Sequence, residues 1–86
     1  MNATRSFDRD GERALDELAA GDSAVILSLD CEPAIARRLM ELGLLPGTAI
    51  RLIRRAPLGD PIEITVRGVH LSLRRSEACQ IHVTQG

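Results

Sequence analysis

Apolar and polar positions alternate with a period of two from Ala49 to Arg75. Ile50 and Leu52 begin the pattern, Ile62, Ile64 and Val66 continue it, and Val69, Leu71 and Leu73 close it. Arg51, Glu63, Thr65, Arg67, His70 and Ser72 fall between them. Successive side chains of a strand point to opposite faces, so this spacing predicts strands that bury one face and wet the other. Two breakers divide the run. One is the stretch from Ala56 to Pro61, with prolines on both sides of Leu58-Gly59-Asp60; the other is Gly68, where the parity of the alternation resets. The expectation is three antiparallel strands joined by one prominent loop and one tight turn.

The flanking segments supply what covers and closes that meander. Residues 12–20 predict a short helical turn, with Leu15 and Leu18 plugging one end of a barrel and Gly21 as the stop. Residues 24–30 read as a strand with Val25, Leu27 and Leu29 on one side. Pro33 suits the first turn of a helix, where its missing N–H costs nothing. That helix places Ile35, Leu39 and Leu42 on one face, with Ala36 and Met40 beside them and Arg37, Arg38 and Glu41 opposite; Gly43 caps it. A helix of about ten residues does not persist alone, so its stripe must dock on the sheet. Ser76–Gln80 reads as another helical turn, and Ile81-His82-Val83 as a last strand paired with the first. The fold class is mainly β: a small SH3-like barrel of about five antiparallel strands, with an inserted helix after the first strand and short helical turns near both ends. Residues 1–11 read as a flexible acidic tail, with the lone aromatic Phe7 able to tuck against the domain, and residues 12–86 as one domain.

Charge adds an asymmetry. Residues 1–32 carry eight acids against three Arg, net −5, whereas residues 33–86 carry four acids against eight Arg, net +4. All eleven basic residues are Arg, which favours fork-like contacts to carboxylate or phosphate. Cys31 and Cys79 form no CxxC pair, so they read as two reduced, buried thiols, with a Cys31–Cys79 disulfide as the alternative. No apolar run approaches the roughly 18 residues of a membrane span, and no signal-peptide core is visible.

Candidate chemistry is thin. His70 and His82 fall on polar strand positions and are expected to face solvent. His70, His82, Cys79 and Glu77 lie near one another in sequence, but no metal-ligand motif joins them. Phosphate-cradling glycine motifs and a patterned nucleophile triad are both missing, so the chain reads as a non-enzyme without cofactor. A nucleic-acid-binding barrel using Arg51, Arg67, Arg74 and Arg75 is an alternative. The lack of an aromatic residue on the meander for bases to stack on and a pI of about 6.1 argue against it. Direct transition-metal binding through His70, His82 and Cys79 is a further alternative. The loop Arg54-Arg55-Ala56-Pro57-Leu58-Gly59-Asp60-Pro61 has two readings. It is a hairpin connection fixed by prolines, or a rigid recognition tip with Leu58 exposed, Arg54 and Arg55 beside it and Asp60 opposite.

Four pieces in order, Leu39-Met40-Glu41-Leu42-Gly43-Leu44 before Pro46-Gly47, Ala56-Pro57-Leu58-Gly59-Asp60-Pro61, Arg67-Gly68 and Leu73-Arg74-Arg75, resemble the FeoA family of ferrous-iron-transport accessory proteins. The resemblance covers about Leu15 to Val83. It implies an SH3-like barrel with an inserted helix, and a cytoplasmic protein assisting FeoB, the membrane iron transporter with a cytosolic G-protein domain. The same domain type ends DtxR-like metal-dependent repressors, where it docks on protein segments. The implied partner is therefore a FeoB-type transporter, through its cytosolic domain or membrane part. No nucleic acid is expected, membrane contact comes only through the partner, and an oligomer is open. The expected contact surface is Arg54, Arg55, Pro57, Leu58, Gly59, Asp60 and Pro61. A groove near Met40, Leu44 and Leu45 is a second candidate, against simple packing of the two leucines under the barrel.

Overall fold

The computed structural model describes residues 11–85. The expected flexible tail and Phe7 therefore lie outside the described residues, apart from Gly11. Six antiparallel strands make one sheet: β1 (Arg13–Ala14), β2 (Ser23–Leu29), β3 (Ala49–Arg55), β4 (Ile62–Val66), β5 (Val69–Leu73) and β6 (Ile81–Gln85), in the order β1-β6-β2-β3-β4-β5. The expected three-stranded meander is β3-β4-β5, and the last long strand pairs with the first, β6 on β2. The sixth strand is the two-residue β1 on the outer side of β6, within the stretch expected to be a helical turn. Only Leu15–Glu17 of that stretch is helical, as a 3-10 turn. Leu15 and Leu18 are buried all the same, and they plug the core as the sequence suggested.

The meander's inward positions form most of the core: Ile50, Leu52, Ile62, Ile64, Val66 and Leu73 are each at most 3% exposed. Ala24, Ile26, Ile81 and Val83 meet them from β2 and β6. Two β-bulges break the simple alternation. In β2, Ile26 pairs with Val83, but the next pair is Ser28 with His82, so Leu27 is an extra residue. Each bulge shifts every later side chain to the other face. Val25, Leu27 and Leu29 therefore do not share a side, contrary to the alternation: Ala24 and Ile26 face the core, Leu27 is exposed, and Leu29 packs inward opposite the buried Ile81. In β3 the extra residue is Ile53, between the pairs Leu52–Ile64 and Arg54–Glu63.

Helix α1 (Pro33–Glu41) starts on Pro33 as expected. It ends in a Schellman motif: Gly43 at φ 111°, its N–H on the Met40 carbonyl (3.0 Å), and the Leu44 N–H on the Leu39 carbonyl (3.0 Å). A hydrophobic contact between the residue after the cap and the last turn accompanies this motif, and Leu39 and Leu44 are both fully buried. The stripe docks over less of its length than its spacing suggests. Ile35 is half-buried, while Met40 and Leu42 are exposed. Helix α2 (Arg75–Ala78) fills the step between β5 and β6.

Candidate functional site

The loop between β3 and β4 is tightly built. The Gly59 N–H donates to the Ala56 carbonyl (2.7 Å), closing a turn with Pro57 at its first central position, and Gly59 adopts φ 87°, where only glycine is unstrained. The Ala56 N–H donates to the Pro61 carbonyl (3.0 Å), and the Asp60–Pro61 peptide bond is cis. Asp60 Oδ1 accepts from the Arg75 N–H (3.1 Å), which ties the loop to the start of α2. At the apex Leu58 is 93% exposed, the most exposed large hydrophobic residue described.

The two arginines at the base part company, as neighbours in a strand do, and the bulge at Ile53 makes Arg55 the inward one. Arg54 pairs across the sheet with the outward Glu63, and its guanidinium stays exposed, 3.8 Å from the Glu63 carboxylate. Arg55 pairs across with the inward Ile62 and turns under the loop. There it donates to Asp16 Oδ1 (3.1 Å), to the Asp16 carbonyl and to the Leu18 carbonyl (2.8 Å). Arg75 donates to both oxygens of the same carboxylate, at 3.2 to 3.4 Å. Hydrogen bonding to Asp16 first, and its charge second, raise the Arg75 guanidinium above its ordinary pKa. Asp16 thus bolts the loop base and α2 to the 3-10 turn. The expectation of Arg55 as a solvent-facing partner of the tip is corrected: it anchors the tip from below.

The second candidate divides in the same way. Leu44 is fully buried by the helix cap, so packing accounts for it and it offers no surface. Leu45 and Met40 are each 38% exposed. Met40 lines a shallow hollow of about 480 Å³ along α1 with Pro33, Ala36, Arg37 and Glu41, and neither leucine is in its wall.

The histidines and cysteines do not converge. His70 is exposed beside Glu63 (3.3 Å). His82 departs from the expectation of a solvent-facing residue. It is half-buried, with Nδ1 3.0 Å from Glu12 and Nε2 2.8 Å from Asp30, so one ring links the end of β2 to the start of β1. Cys31 and Cys79 are free thiols, and Cys79 is exposed where burial was expected. Burial first, then the charges of Glu77 and Asp30 and the neighbouring Cys79, push the Cys31 thiol up from its ordinary pKa, which keeps it a poor nucleophile and a poor metal ligand. Among the described residues, no group of three His, Cys, Asp or Glu side chains is placed to hold a metal ion. Of the four arginines suggested for nucleic acid, Arg75 is committed to Asp16, while Arg51, Arg67 and Arg74 are exposed. Asp16 and His82 are the organising residues that local sequence reasoning missed. Their partners lie 39 and 59 residues away for Asp16, and no periodicity reports such pairs.

Known proteins share this fold. The FeoA domain model matches residues 13–85. A Fe(2+) transport protein A/Fe(2+) transporter FeoB fusion protein of Porphyromonas gingivalis is 36% identical over 69 residues, which is 80% of this chain but 8% of the fusion protein. The solution structure of a FeoA protein from Chlorobium tepidum superposes with a TM-score of 0.81 at 50% identity, covering 84% of this chain and 69% of that one. The zinc-complexed FeoA of Stenotrophomonas maltophilia, described as a procaryotic SH3 domain protein, superposes with a TM-score of 0.72 at 39% identity, over 81% of this chain and 87% of that one. With its SH3-like barrel and a family match from β1 to β6, the chain belongs to the FeoA family.

Proposed function

We propose that this protein is a cytoplasmic, non-catalytic accessory factor of ferrous iron uptake that binds a FeoB-type transporter by protein–protein contact. The observation that carries this reading is the Porphyromonas gingivalis fusion, in which a domain similar to this chain shares one polypeptide with FeoB. Domains joined in one polypeptide commonly act on each other. Among the described residues no helix is long and apolar enough to cross a membrane, which fits a role beside the transporter's aqueous face.

The contact surface on this reading is the loop apex. Pro57 and Leu58 project, Gly59 and the cis Asp60–Pro61 bond set the loop's course, and Arg54 stands exposed at its base. Because Asp16, Arg55 and Asp60 hold the base in place, little ordering remains when a partner covers Leu58. Burying an exposed Leu contributes about 1.5–3 kcal/mol. Met40 and Leu45 offer a secondary apolar surface.

The experiment is capture of the transporter's cytosolic domain by this protein, with and without guanine nucleotide, using the wild type and Leu58→Asp. Capture that is lost in Leu58→Asp while the thermal midpoint holds supports the apex as the contact. Equal capture by both proteins removes the apex from the reading, and no capture in any nucleotide state removes the cytosolic domain as the partner.

A further inference from the structure

Among the described residues strand β5 ends the sheet, with β4 on one side and no strand on the other. In an antiparallel pair, residues alternate between directing both backbone groups at the partner strand and directing both away. Val66 and Val69 flank a two-residue turn, Arg67-Gly68, whose φ values of 53° and 79° mark type I′, and the pair beside such a turn is hydrogen-bonded. Val69, Leu71 and Leu73 therefore bond to β4, and His70 and Ser72 direct N–H and C=O outward. Among the described residues, no turn or loop backbone group bonds to them.

Both faces of this edge are incomplete. On the inner face, Val66 and Ile64 of β4 are 1% and 0% exposed, yet their β5 partners are not sealed: Val69 is 47% exposed and Leu71 is half-buried. On the outer side, Arg67 at the turn and Arg74 just past the strand are exposed, with no carboxylate partner among the described residues; Arg38, Arg54, Arg55 and Arg75 each have one. Glu63, the acid of that face, already stands between Arg54 and His70. A hollow of about 240 Å³, lined by Pro61, Ser72, Leu73 and Arg74, lies at the far end of the strand.

We propose that the β5 edge accepts an extended segment of a partner protein in which acidic and apolar residues alternate, added as a further strand of the sheet. Its backbone bonds to His70 and Ser72, its apolar residues cover Val69 and Leu71, and its acids lie beside Arg67 and Arg74. Charge argues against a second copy of this chain in that place, because antiparallel self-pairing lays the Arg67 of each copy near the Arg74 of the other. A nucleic acid would find only the His70 imidazole for its bases, since no Phe, Tyr or Trp stands on this face among the described residues. The inference goes beyond the proposed transporter contact and stands or falls independently of it.

The test is an NMR titration of the full chain with a synthetic peptide of alternating Glu and Val, beside a Lys/Val peptide and a single-stranded oligonucleotide. The expected result is binding of the Glu/Val peptide alone, weakened by salt, with hydrogen exchange slowed at the His70 and Ser72 amides. Ser72→Pro removes one outward donor at an edge position and should weaken binding by about tenfold. Arg67→Glu with Arg74→Glu leaves the backbone edge intact and should reverse the preference toward the Lys/Val peptide. Equal binding of both peptides overturns the proposal, as does protection elsewhere than β5, or oligonucleotide binding in place of the peptide.

Discussion

Two adjacent arginines at the end of β3 should differ sharply in what they contribute, and Arg55→Ala against Arg54→Ala isolates the reason. The Arg55 side chain is 29% exposed and donates to a carboxylate whose own side chain is 14% exposed, and to two main-chain carbonyls. Hydrogen bonds to charged groups contribute about 1.5–3 kcal/mol each when buried. Partial exposure and the second cation on Asp16 reduce this, so about 2–3 kcal/mol for the whole substitution is reasonable. Arg54 sits 3.8 Å from Glu63, with side-chain exposures of 59% and 33%, and such pairs contribute about 0–0.5 kcal/mol. For a domain of this size each kcal/mol moves the thermal midpoint by about 4–8 °C. Arg55→Ala should therefore lower it by roughly 8–24 °C, and Arg54→Ala by less than about 4 °C. Urea unfolding followed by far-UV circular dichroism gives the free energies directly. Arg55→Lys should recover little, since an ammonium cannot span three acceptors as a planar fork does. Equal losses from the two alanine variants would refute the assignment of Arg55 as the bolt, and with it the bulge-driven exchange of faces.

Gly43→Ala should cost about 1–2 kcal/mol in urea unfolding, because the cap requires φ 111° even though the nearest side-chain atoms, on Val66, would be 3.9 Å from the added carbon. Leu44→Ala should cost about 2–5 kcal/mol and the neighbouring Leu45→Ala under about 1, a contrast that equilibrium unfolding of the two variants reads. Iodoacetamide should modify Cys79 before Cys31 at neutral pH, as peptide mass analysis would show. Since folding raises the Cys31 pKa, the folded protein holds that proton more tightly; stability from this group is present below the unfolded thiol's pKa and falls as pH rises through the folded value, so a Cys31→Ser variant should lose less stability in alkali than the wild type.

The meander was readable because β4 and β5 keep strict alternation, and Arg67-Gly68 marks their turn. Pro33 and Gly43 marked the helix for equally local reasons. What escaped was set by insertion and by distance. A bulge adds one residue without altering composition, so Val25, Leu27 and Leu29 looked like one face, and parity could not tell which of Arg54 and Arg55 turns inward. The Asp16 bolt and the His82 link join segments far apart in the chain, and their residues are ordinary polar types in their own neighbourhoods. The exposed apex at Leu58 was legible because two prolines and a glycine leave a leucine there no core to enter. The burial of Leu44 followed from the geometry of a cap, which a run of two leucines does not disclose.

The extra residue at Ile53 has a consequence of its own. Its identity matters little, since its side chain is 36% exposed and most residues could stand there. Deleting it would iron out the bulge and leave Arg54 opposite Glu63 and Arg55 opposite Ile62, the pairs they already make. Were Ile53 taken into the regular ladder instead, it would stand opposite Glu63, Arg54 would turn inward opposite Ile62, and Arg55 would be carried past the strand end. Position 53 should therefore tolerate both wide substitution and deletion, whereas a residue inserted after it should cost the Arg55 anchor, a signature by which a site that counts residues can be told from a site that recognises them.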